Sequence, residues 1–421
     1  MLRSHVLLLV GFSVLQASLI GLFFCARCRK IVFDAKLLNA AVFVGMEAIC
    51  IVLIVLGDFA GVEKQLAATT SAVFVKSSGS SPEAFVASGD PLLVRLVESQ
   101  NPSRPRPDYT SPSAFRAWQE SLHHELLAEV FNFGDIGSPV DVRVQRISST
   151  VVDSNITRIF LVYESFDGTR IPAYLFLPPR AERMPAILVL HGHLWNDEGE
   201  GITQTAGIVD SYQHGNALQL ARAGYVTLTI EFRGFGYLGA GLKDGYQHAA
   251  YNALLGGSFY KAIVSRDVKY AVDLLQSLEE VDPQRIGITG ASLGGEMAVV
   301  YAALDKRMKA VVFQAYGGNL GVQRGSDGKG SNYTNATPFQ DHVIPGQNRY
   351  LYEEDFFLLI APRPLLGVRG DRDYVFRTTF PEVVGAAYRC LGMASAFEFS
   401  IVPGGHEYFV QPTTEFFKRY L

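Results

Sequence analysis

Cysteine is scarce and poorly placed for a disulfide framework. The chain has 421 residues but only Cys25, Cys28, Cys50 and Cys390, and just the last lies beyond an N-terminal apolar region. No set of bridges can therefore hold the larger C-terminal part together. Cys25-Ala26-Arg27-Cys28 has the spacing of a redox or metal pair, but no second cysteine or histidine pair accompanies it, which argues against zinc. Excess charge of one sign is also missing. The 37 basic and 41 acidic residues leave a net charge of −4, and the basic ones are scattered, so nucleic acid is not an expected partner. No internal repeat is present.

Long apolar runs are confined to the start. Residues 6–25 form an uncharged run long enough to cross a bilayer as a helix, and residues 37–57 form a second, interrupted by Asn39 and Glu47. Between them lie Arg27, Arg29, Lys30 and Lys36 against one acid, Asp34. A transmembrane hairpin over residues 1–58 accounts for this pattern. The positive-inside rule places its basic loop in the cytoplasm and the rest of the chain outside, in a periplasmic or extracellular space. The competing reading is a signal peptide, but no Ala-x-Ala pattern follows the first run. Residues 59–110, rich in serine and proline, read as a flexible linker. Ser111-Pro112 then supplies a helix start, and Phe115, Trp118, Leu122 and Leu126 recur at helical spacing.

Residues 111–421 read as one catalytic domain. Strands are expected at 157–162 and 171–177, paired across Asp167-Gly168, and then at 186–190, 226–230, 286–289, 310–313, 365–368 and 397–402. Helical patterns near 214–223, 259–278, 295–303 and 380–391 separate most of them. Continuous apolar strands alternating with helices specify an α/β fold, a mostly parallel sheet covered on both faces. Sites in such sheets gather at the carboxyl ends of the strands.

At one such end stands Gly290-Ala291-Ser292-Leu293-Gly294, between an apolar strand and an apolar helix. A strand that turns into a helix through Gly-x-Ser-x-Gly lifts the serine hydroxyl above the sheet edge. A serine needs a base to become a nucleophile, and the base needs an orienting carboxylate. Downstream only His342 and His406 remain. His406 follows the last strand through Pro403-Gly404-Gly405, whereas His342 lies in an irregular stretch suited to substrate contact or loop packing. Val368-Arg369-Gly370-Asp371-Arg372-Asp373 offers two acids. Asp373 is the chosen triad member, with Asp371 as the alternative or as a turn cap. Oxyanion donors are expected from the Leu293 amide and from His193 or Leu194, in the loop opened by His191-Gly192-His193. Trp195 is a candidate wall of the acyl pocket. His191 and His193, at i and i+2 with no third ligand in their loop, make a poor metal site, so no metal or other cofactor is expected.

These residues resemble the α/β-hydrolases of the dienelactone-hydrolase-like and acetyl xylan esterase-like branch. Glu231-Phe232-Arg233-Gly234-Phe235-Gly236, Val281-Asp282-Pro283-Gln284-Arg285-Ile286-Gly287 and Ile360-Ala361-Pro362-Arg363-Pro364-Leu365-Leu366 match as well, over about residues 112 to 421. The resemblance implies a cofactor-independent serine hydrolase of carboxylic esters, with small-molecule or carbohydrate esters, acetyl esters among them, as substrates. Two departures stand out. Glu231 occupies a position where the family usually has aspartate, and Ser292 stands where dienelactone hydrolases proper have cysteine. Two rivals remain: a prolyl-oligopeptidase-like peptidase, for which the expected propeller-length N-terminal domain is missing, and a non-catalytic hydrolase fold that binds partners.

Overall fold

The computed structural model describes residues 105–421, apart from 135, 180–181, 194–200, 240, 243–244, 318–339, 353 and 374–379. The two apolar runs, most of the expected linker, Leu194 and Trp195 thus lie outside the described residues. Among those described, no helix is long and apolar enough to cross a membrane.

Ser111 starts the first helix as its sequence predicts. Its hydroxyl accepts the Ala114 N–H at 3.3 Å, and α1 (Pro112–Glu125) buries Phe115, Trp118 and Leu122. Residues at the end of the expected linker are already bound to this domain. The Trp118 indole donates to the Pro105 carbonyl at 3.2 Å, and Arg106 pairs with Glu354 at 2.7 Å.

The strands are β1 (Val144–Val152), β2 (Ile156–Glu164), β3 (Arg170–Leu177), β4 (Met184–Leu190), β5 (Val226–Ile230), β6 (Val281–Ala291), β7 (Ala310–Gln314), β8 (Leu365–Gly370) and β9 (Phe397–Val402). They form one sheet in the order β1-β2-β3-β5-β4-β6-β7-β8-β9. β1, β2, β3 and β5 pair antiparallel in turn, and every later pairing is parallel. Period-two alternation sends side chains to two separate cores. On β4, Ala186, Leu188 and Leu190 join one cluster, while Ile187 and Val189 join the other. The remaining helices are α2 (Asn216–Arg222), α3 (Gly245–Leu255), α4 (Tyr260–Ser277), α5 (Leu293–Leu304), α6 (Glu354–Ile360), α7 (Pro381–Cys390) and α8 (Val410–Tyr420).

Three elements depart from the sequence expectation. β1 was not foreseen, because it is an edge strand exposed along almost its whole length and carries no burial alternation. α3 occupies part of a stretch read as pocket loop. Its buried positions are Gly245, Ala250 and Ala253, so no stripe of large apolar residues marks it. α6 is a short helix buried almost all round, and it offers no amphipathic signal either.

Candidate active site

A single residue separates β6 from α5. Ser292 adopts φ 59° and ψ −126°, a conformation costly for any residue with a Cβ atom. It is held there by its own backbone, whose N–H donates to Gln314 O at 2.9 Å and whose carbonyl accepts the Glu296 N–H at 3.0 Å. The flanking glycines are dictated by packing. A Cβ on Gly290 would come 2.3 Å from the Gly294 carbonyl carbon, and one on Gly294 would come 2.1 Å from Leu190 O. The sharp turn therefore exists only because strand and helix can touch backbone to backbone.

The loop after β9 brings His406 to the same region. His406 Nδ1 lies 3.0 Å from Asp373 Oδ2, and the Asp373 side chain is fully buried. Asp371 does something else: its Oδ1 accepts the Gly404 N–H at 3.0 Å and shapes the loop ahead of the histidine. Gln314 fixes the loop's far end, accepting the Phe409 N–H at 2.7 Å and donating to Thr413 Oγ1 at 2.6 Å. Tyr212 lies between the two parts. Its ring packs on His406 with centroids 5.5 Å apart, and its buried hydroxyl reaches toward the Ser292 and Gln213 side chains. Burial holds that phenol well above its ordinary pKa, so it stays a neutral hydroxyl.

His191 and His193 take separate roles. His191 is fully buried, and its Nε2 accepts the Phe232 N–H at 3.0 Å. An Nε2 that accepts carries no proton, so the ring is neutral with its proton on Nδ1, facing Gly192 O at 3.0 Å. His191 thereby ties the end of β4 to the end of β5. Glu231, also fully buried, accepts N–H groups from Ile202 and Tyr237, each at 3.1 Å. The extra methylene relative to aspartate lengthens its reach to those amides. Arg233 bonds Asp267 at 2.8 Å and Asp167 at 2.7 Å, the structural role its sequence context favours.

His193 turns the other way. Its Nε2 lies 2.9 Å from Asp341 Oδ2, and both side chains are buried. Asp341 and His342 belong to a one-turn 3₁₀ segment (Gln340–His342). His342 Nδ1 bonds the Glu296 carboxylate, whose other oxygen pairs with the Lys261 ammonium. Burial pushes the His342 pKa down, but Glu296 and Asp341 outweigh it and hold the ring above its ordinary value. Burial likewise pushes the Glu296 and Asp341 carboxyls up. Glu296 is nonetheless held below its ordinary value by His342 and Lys261, and Asp341 by His342 and His193. Two carboxylates thus face one ammonium and one imidazolium.

Among the described residues, His193, Asp341 and His342 each offer a ligand atom, all within 4.8 Å of one another. These three, rather than the His191–His193 pair, are the residues able to hold a metal ion. Sequence reasoning missed Asp341, Glu296, Lys261 and Tyr212. One signal was available: Glu296 is the lone charge in the apolar helix Leu293–Leu304, and a charge buried there needs partners. Of the pocket tyrosines, Tyr246 stacks on Phe235 at 4.9 Å and Tyr316 on Phe357 at 6.1 Å. Both are packing residues. Tyr251 is 54% exposed and available to a ligand.

Comparisons with known proteins agree with this architecture. The family model for acetyl xylan esterase matches residues 137–316. A protein of Bacillus subtilis described as a hydrolase, YtaP, is 29% identical over 243 residues, 56% of this chain and 75% of that protein. A 4-O-methyl-glucuronoyl methylesterase of Neurospora crassa is 29% identical over 163 residues, 34% of this chain and 41% of its own length. A solved structure from Bacteroides fragilis, described as an acetyl xylan esterase, shares the fold with a TM-score of 0.58 at 20% identity, covering 74% of this chain and 81% of the other.

Proposed function

We propose that this chain, an α/β-hydrolase similar to the acetyl xylan esterases and a carboxylic-ester hydrolase, works through an acyl-enzyme on Ser292. The observation that carries the reading is the strained Ser292 turn sharing its site with a histidine bonded to a buried carboxylate. His406 takes the serine proton as the hydroxyl attacks the ester carbonyl, then returns it to the leaving alcohol. Asp373 holds the imidazole in the tautomer whose Nε2 is free to accept. The Leu293 amide, with His193 or Leu194, stabilises the oxyanion. Water then releases the acid by the same route.

The substrate class we propose is acetyl esters of carbohydrates, which the family match supports. Purified enzyme should turn over p-nitrophenyl acetate and acetylated xylo-oligosaccharides at least about tenfold faster, in kcat/KM, than hexanoyl esters, since each methylene that must be accommodated carries 1–3 kcal/mol of discrimination. Turnover of methyl glucuronates without turnover of acetylated sugars would move the substrate to the class named for the Neurospora relative.

We further propose that residues 1–58 anchor the chain in a membrane with the catalytic domain outside. The support is the basic loop between two apolar runs, Arg27, Arg29, Lys30 and Lys36 against Asp34. Protease added to intact cells, after opening any outer membrane, should release an active soluble fragment. Protection until the bilayer is permeabilised would reverse the orientation.

A further inference from the structure

The buried polar network beside the serine joins two chain segments that the proposed mechanism uses together. One is the loop after β4, where His193 is a candidate oxyanion donor. The other is the start of α5, where Leu293 supplies the second amide. Neither segment bonds the other through these side chains. Each is tied instead to one of two adjacent residues, His193 to Asp341 at 2.9 Å and Glu296, on the first turn of α5, to His342. The relevant side chains are buried: Asp341 is 0% exposed, Glu296 1% and His193 6%. Lys261, from the first turn of α4, closes the arrangement on the far side of Glu296.

We propose that Asp341 and His342 form a clip that holds the two halves of the oxyanion hole at a fixed separation, acting as positioning residues for the ester hydrolysis. The inference rests on the serine-esterase reading of the same site. Geometry favours it over two alternatives. A network serving stability alone could stand anywhere in the core, but this one ends on the two segments that carry the expected donors. A metal site would need the ligand atoms that are already spent, His193 Nε2 on Asp341 and His342 Nδ1 on Glu296. The four charges around them also balance without an ion. The clip must be rigid because an oxyanion donor works only near hydrogen-bond distance from where charge develops. An adjacent pair on one 3₁₀ turn provides that rigidity, since its two side chains cannot shift independently.

The test compares a transition-state mimic with a substrate. Phenylboronic acid forms a tetrahedral adduct on an active serine and places an oxygen in the oxyanion hole, whereas KM for p-nitrophenyl acetate reports mainly the ground state. Asp341→Ala and His342→Gln should each raise the boronate inhibition constant about 10- to 100-fold while KM changes less than about 3-fold, the scale expected for displaced donors. Asp341→Asn, which keeps an acceptor oxygen for His193, should recover part of the loss. Both constants are independent of the fraction of folded enzyme, so a merely destabilised variant would leave them unchanged. If Asp341→Ala fails to fold, His342→Gln carries the same comparison. An unchanged inhibition constant, or one that rises in step with KM, overturns the clip. So does a stoichiometric divalent metal in purified wild-type enzyme whose removal by a chelator reproduces the variants. Failure of boronate to inhibit the wild type while ester turnover persists in Ser292→Ala would instead overturn the serine reading itself.

Discussion

Ser292→Ala should lower kcat/KM for p-nitrophenyl acetate by about 10³-fold or more and leave the unfolding temperature nearly unchanged. The two halves of this expectation have separate causes. Activity falls because the half-buried hydroxyl is the only group at the turn able to form the acyl bond. The residual rate is what binding and oxyanion stabilisation give a water molecule without a nucleophile. Stability is retained because the turn is held by main-chain bonds that alanine keeps, from the residue 292 N–H to Gln314 O and from the Glu296 N–H to the residue 292 carbonyl. Alanine inherits the same positive φ and roughly the same strain, since both side chains carry one Cβ. Turnover comparable to the wild type would remove Ser292 from the mechanism.

The second large effect separates the two acids of the loop after β8. Asp373→Asn should cut kcat by about 10²–10⁴-fold, because the amide favours the imidazole tautomer that places the proton on the wrong nitrogen. The bond at issue is the 3.0 Å contact between His406 Nδ1 and the buried Asp373 carboxylate. Asp371→Asn should leave kcat within about threefold and change stability by less than about 1 kcal/mol, since asparagine still presents an oxygen to the Gly404 N–H. Kinetics of the two purified variants, with thermal unfolding as the control, check both statements. A large loss on Asp371→Asn with little effect on Asp373→Asn would transfer the orienting role to Asp371.

Much of the sheet was legible because its physics is local. β4 and β7 are continuous apolar runs bounded by turn residues, and such runs have few alternatives to a strand buried on both faces. The serine turn was legible because glycine spacing records a steric fact, the approach of Gly290 and Gly294 to neighbouring backbone. The choice of Asp373 over Asp371 could be made from its offset after Gly370, but sequence alone left the other acid open. What stayed hidden depends on contacts between distant residues. His193 and Asp341 are 148 positions apart, and Glu296 and His342 are 46 apart. No pattern in either neighbourhood encodes the meeting. Tyr212 is similar, since its segment shows nothing until the loop carrying His406 folds against it, with the Tyr408 N–H donating to Tyr212 O at 2.8 Å. β1 was hidden for the opposite reason: an edge strand wetted on both faces leaves no alternation to read.

The central claim is that Ser292 is the nucleophile, and its most direct test is covalent. Wild-type enzyme treated with a fluorophosphonate should lose activity in proportion to label incorporated, reaching one label per chain. Peptide mass spectrometry should find the label on Ser292, and Ser292→Ala should take up none. Asp373→Asn should still be labelled, but slowly, because its hydroxyl remains while its base is misdirected. Inactivation with the label on another residue, or full esterase activity in enzyme whose Ser292 is quantitatively modified, would contradict the account.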